Sequence, residues 1–159
     1  MEYYYAYIEK CPFNVLQGEV LSAVDGLEKE STEVIFECVS GETYRLAHDR
    51  DCCETVDIED VCGDVEDLVG NPLLLAEEVS NYDHPFPSRV DVGEWTFYKL
   101  ATCKGNVTIR WLGNSDSAGY SMRVQLDRVV WKEREPYVPP RPSPPPPSPL
   151  DPMAGVSYL

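Results

Sequence analysis

The sequence predicts a mainly β fold, α+β with a single short helix: a compact antiparallel sheet, small barrel or sandwich built from hairpins, followed by an extended Pro-rich C-terminal arm. Three observations predict it. Two pairs of segments rich in β-branched and aromatic residues flank short Gly-containing connections, Ser40-Gly41 and Lys104-Gly105. Apolar and polar residues alternate with period two around Val56 and Ile58, from Val107 to Trp111 and from Met122 to Val130. Ten of the fourteen prolines fall in the last 24 of 159 residues, a composition that cannot join a sheet. The expected organisation is a Tyr-rich N-terminal segment (1–17), one compact β-rich domain (18–135) and the arm (136–159).

Tyr3, Tyr4, Tyr5 and Tyr7 have high β-propensity without strict alternation, which suits an edge strand or an N-terminal arm equally. Residues 19–24 predict a short strand, stopped by Asp25-Gly26. Residues 33–39 and 42–47 then form the first hairpin, whose second strand delivers the chain into His48. Val56 and Ile58 mark the half-buried strand that follows. Asp64 is a plausible N-cap for a short helix carrying Val65, Leu68 and Val69 at spacings of three and four, with Gly70 placed to end it. Residues 73–79 return to strand. Asn81 to Ser88 is a loop, because Pro85 and Pro87 remove donors that a central strand needs. The second hairpin occupies 95–103 and 106–112, and a strand over 120–131 is expected to close the sheet.

Thirteen basic residues against 28 acidic ones leave a formal net charge of -15. That charge repels phosphate backbones and anionic membrane surfaces, so direct nucleic-acid binding is not expected and a basic partner is favoured. No apolar run approaches the roughly 18 to 20 residues of a membrane helix, so no membrane partner is expected. The N-terminus lacks the cationic and apolar regions of an export signal. Host cytoplasm or a virion is the expected setting, with Cys11, Cys38, Cys52, Cys53, Cys62 and Cys103 reduced.

The most unusual stretch runs from His48 to Leu68 and holds two adjacent thiols, one of only two histidines and nine acids. His48, Asp49, Asp51, Cys52, Cys53 and Glu54 are weak metal candidates. Zinc thiols usually lie two to four residues apart, adjacent cysteines on an extended chain face opposite ways, and no second pair completes four ligands. The bland reading is a structural junction with one thiol in the core and carboxylates that cap turns or stay hydrated. A cysteine nucleophile paired with His48 or His84 is disfavoured because surrounding acids oppose the thiolate. Asp49-x-Asp51 opens like a calcium loop, but Glu54 and Asp60 stand where such a loop needs glycine and glutamate. Dinucleotide, P-loop and nucleophile-elbow motifs are absent from the sequence. The expectation is therefore a non-enzyme with no catalytic residue, no metal and no cofactor.

Two surfaces remain as binding candidates. The Pro-x-x-Pro spacings favour polyproline II and docking into an aromatic-lined groove, with Tyr137, Pro139, Pro140, Arg141, Pro142, Pro144, Pro145, Pro147, Tyr158 and Leu159 as partner-binding residues. The alternative is an acidic face of Asp49, Asp51, Glu54, Asp57, Glu59, Asp60, Asp64 and Asp67 that mimics nucleic-acid phosphates toward a basic protein.

His48-Asp49-x-Asp51-Cys52-Cys53-Glu54, Ile58-Glu59-Asp60, Gly63-Asp64-x-x-Asp67-Leu68-x-Gly70, Leu75-Ala76-Glu77-Glu78 and Trp95 to Thr102 recur together in a family that this chain resembles over about residues 15–131. It is a domain-of-unknown-function family of tailed bacteriophages and bacteria. The resemblance implies a phage setting and a compact domain, and it carries no activity. The leading expectation is a virion-associated accessory or decoration protein that docks on a phage structural subunit through its arm. An intracellular acidic inhibitor of a basic host protein is the alternative, and a metal- or thiol-dependent enzyme at 48–54 is the second alternative. The sequence leaves the oligomeric state open.

Overall fold

The computed structural model describes residues 4–80, 84–133 and 138–143. Nine strands run along the chain: β1 Tyr4–Cys11, β2 Leu21–Asp25, β3 Glu33–Cys38, β4 Thr43–Ala47, β5 Glu54–Cys62, β6 Leu75–Ser80, β7 Val92–Ala101, β8 Asn106–Ser115 and β9 Gln125–Glu133. They form two antiparallel sheets, ordered β1-β9-β4-β3-β2 and β5-β8-β7-β6. Neither sheet closes into a barrel, so the sandwich form of the expected fold is the one realised.

Alternation builds the core. Val107, Ile109 and Trp111 on β8, and Val56 and Ile58 on β5, turn inward, and Leu46 and Leu126 meet them from the first sheet. Each fully buried Leu or Ile contributes roughly 1.5–3 kcal/mol by leaving water. Both predicted hairpins form, with β3 paired to β4 and β7 to β8. The first turn is longer than the two residues expected, because the strands stop at Cys38 and Thr43; Gly41 supplies its positive φ of 93°.

Three expectations are corrected. The strand ending at Glu133 lies between β1 and β4 instead of closing the sheet. Residues 4–16 are built into the fold they were expected to precede. Tyr4 to Cys11 pair without interruption against Leu126 to Glu133, and Phe13 and Leu16 lie in the core on a 3-10 helix, Phe13–Leu16, with the Phe13 ring 4.5 Å from that of Tyr98. Four residues are too few to show a helical period, which hid this turn. The helix after Asp64 is likewise one 3-10 turn, Val65–Leu68, because Val69 is already extended. Asp64 is its N-cap, accepting from the Glu66 N–H at 3.0 Å.

Of the arm, residues 138–143 are exposed and outside any strand.

Candidate functional site

β4 ends at Ala47 and β5 begins at Glu54, so the turn between them carries the chain from one sheet to the other. Parity decides the fate of Glu54: it shares a face with Val56 and Ile58 and therefore points inward. Its side chain has no solvent exposure. Oε1 accepts from the Asp51 N–H at 2.5 Å, and Oε2 accepts from the Cys52 and Cys53 N–H groups at 3.2 and 3.1 Å. His48 completes the cradle, with Nε2 2.9 Å from Glu54 Oε1 and Nδ1 2.7 Å from the Arg123 carbonyl oxygen. Both ring nitrogens thus face oxygen acceptors, which fixes the ring's orientation. The Asp51 N–H first, and His48 next, hold the Glu54 carboxyl down at about 2.

This arrangement accounts for the acid at position 54 without a ligand. Glu54 is engaged by three backbone donors and one ring. Among the described residues no cluster of three or more His, Cys, Asp or Glu side chains is placed to hold a metal ion. His84 is engaged elsewhere, edge-on to Trp95 and Phe97 at 5.1 and 5.7 Å.

The thiols depart from the sequence reading. The turn folds Cys52 and Cys53 to the same side, with their Sγ atoms 2.6 Å apart, and both residues are exposed; neither is in the core. Beside the turn, a recess of about 320 Å³ is lined by Glu33, Arg45, His48, Arg50, Glu54 and Asp57 together with Thr32, Thr55 and Val56. Arg45 is taken up by Glu33 at 2.5 Å. The recess therefore pairs most of its own charges.

The eight acids expected to form one face do not. Glu54 is buried. Glu59 accepts from Arg89 at 2.5 Å, and Asp60 accepts from Arg110, which also holds its carboxyl below the usual range. Asp64 caps its turn while remaining exposed, and Asp67 is half-buried. Asp57 is half-buried, and burial pushes its carboxyl up. Asp49, Asp51 and Asp64 are the exposed members of the eight.

A second surface was missed by sequence reasoning. Leu46 and Leu126 face each other in the core, so Val129 and Trp131, of opposite parity, point to the outer face of the first sheet with their partners Ile8 and Ala6. Trp131 is 65% exposed and Ile8 51%. The signal that would find it is the break in alternation where β9 turns from polar to apolar at alternate positions.

The profile of a domain of unknown function, DUF7448, matches residues 14–126. The chain belongs to this family. No curated protein and no solved structure matches it. The DUF7448 span holds the whole His48–Glu54 cradle and both hairpins, while Ile8, Val129 and Trp131 lie outside it. Of the predicted arm contacts, Pro139, Pro140, Arg141 and Pro142 are exposed. Tyr137, Pro144, Pro145, Pro147, Tyr158 and Leu159 fall outside the described residues.

Proposed function

We propose that this protein is a non-enzymatic interaction protein, a virion-associated accessory or decoration component of a tailed phage. It docks on another structural subunit through the outer face of the β1–β9 pair and the Pro-rich arm that follows β9. The observation that carries the docking reading is the apolar outer face on which exposed Ile8 and Trp131 lie with half-buried Val129, outside the family span. An indole can bury about 150–250 Å² against a partner, enough to anchor an interface. The phage setting rests on the sequence resemblance. With Glu54 buried and Glu59 and Asp60 paired to arginines, a continuous phosphate-mimicking face gains no comparable support.

Mass spectrometry of purified particles, with infected-cell lysate as control, tests the proposal. Peptides of this chain at a fixed ratio to the major capsid or tail protein are expected. Deleting residues 136–159, or changing Trp131→Glu, is expected to reduce incorporation at least tenfold while leaving the isolated domain folded. Wild-type protein abundant in lysate and absent from particles would sink the virion reading.

A further inference from the structure

Six cysteines are present, and the fold treats them differently. Cys38 is buried, with its thiol pushed up to about 12 by burial, and Cys11 is half-buried and also raised by burial. Cys62 and Cys103 are exposed but solitary, their sulfurs facing Asp60 and Asn71 at 3.8 and 3.5 Å. Cys52 and Cys53 are exposed and side by side, 2.6 Å between sulfurs.

That juxtaposition is built rather than incidental. Adjacent residues on an extended chain point to opposite sides; here the consecutive N–H groups of Asp51, Cys52 and Cys53 are all drawn onto the buried Glu54 carboxylate, which curls the backbone and swings both sulfurs outward together. His48 anchors the carboxylate in turn. The nearby Cys53 thiol pushes both the Tyr120 phenol and the Cys52 thiol up.

We infer that Cys52 and Cys53 form a dithiol modification site that reacts as one unit with disulfide-class oxidants. The Cys53 contact first, and the neighbouring acids after it, keep the Cys52 thiolate fraction small, so the reaction quickens as pH rises: one thiolate attacks an R–S–S–R sulfur, giving a mixed disulfide and releasing the first RS⁻, which takes up the proton lost by the attacking thiol. The neighbouring thiol loses its proton and attacks the protein sulfur of that adduct, closing a Cys52–Cys53 bond and releasing the second RSH. Two protein S–H bonds are oxidised and one R–S–S–R is reduced. The closed ring joins Cα atoms about 3.8 Å apart, short of the roughly 4.4 Å at which relaxed disulfides begin. Strain of this kind makes a disulfide a good oxidant, so the closed form reverts readily under thiol.

The test uses the reduced full-length protein and oxidised glutathione as the probe, followed by alkylation and peptide mapping. Wild type is expected to lose two hydrogens on the peptide holding Cys52 and Cys53, with alkylation lost from both together and restored by dithiothreitol. Cys52→Ser and Cys53→Ser, both at exposed positions, are each expected to stop at a stable glutathione adduct on the remaining thiol. A persistent glutathione adduct on wild type at these residues, or disulfides between chains in place of the Cys52–Cys53 bond, would overturn the inference. So would single-serine variants that retain no adduct.

Discussion

Glu54 is where one carboxylate replaces several separate interactions. It satisfies three N–H donors of a turn and holds His48, which reaches across to the Arg123 carbonyl at the entrance to β9. Asp127 is the opposite case: it is buried with Oδ1 unpaired and Arg45 only 3.9 Å from the other oxygen, and burial pushes its carboxyl up. For Glu54 the sign of the pH dependence is definite. Its folded value of about 2 lies below its ordinary 4.5, so the stability it contributes is fully present above 4.5 and is lost as pH falls through about 2. Glu54→Gln places an NH₂ donor where an oxygen now accepts. It is expected to lower the urea midpoint at pH 7 and to flatten the decline of stability between pH 4.5 and 2 relative to wild type. Parallel acid titrations of the urea midpoint would decide, and parallel curves with equal midpoints would remove the cradle's role.

At the scale of elements, the turns are set by backbone geometry as much as by side chains. After β5 the chain reverses at Gly63, whose φ of 112° is in the left-handed region, and a Cβ there would strike the Asn106 carbonyl oxygen. Strain and contact with backbone cannot both be relieved by a side-chain rotation. Gly63→Ala is expected to cost about 1–3 kcal/mol, read as a lower denaturant midpoint with unchanged slope. The same reasoning about register explains the outer face of β1–β9: uninterrupted pairing from Tyr4 to Cys11 keeps Ile8 opposite Val129 and Ala6 opposite Trp131, so the apolar positions cannot rotate inward.

For the whole molecule, 28 acids against 13 bases dominate the long-range field. Compaction brings like charges together, and the ion pairs Arg89–Glu59, Arg110–Asp60 and Arg128–Glu9 offset that only locally. Raising sodium chloride from about 10 to 150 mM shortens the screening length from roughly 30 to 8 Å. The melting temperature is therefore expected to rise by a few degrees over that range in a scanning calorimetry series. A melting temperature that falls with salt would mean that the ion pairs outweigh the self-repulsion.

By itself the sequence determined the β class, both hairpins, the inward faces of β5 and β8 and the cap at Asp64, because each follows from local periodicity or turn chemistry. A domain of unknown function was legible too, expected over about residues 15–131 and matched over 14–126. Only the tertiary structure decided that β1 and the Phe13 turn complete the sandwich, that β9 lies inside its sheet, and that Glu54 is buried while Cys52 and Cys53 stand together outside. Those outcomes depend on which strands pair, and on a buried carboxylate curling the backbone that precedes it. Such pairings join residues as far apart as Tyr4 and Glu133, beyond the reach of any sequence window.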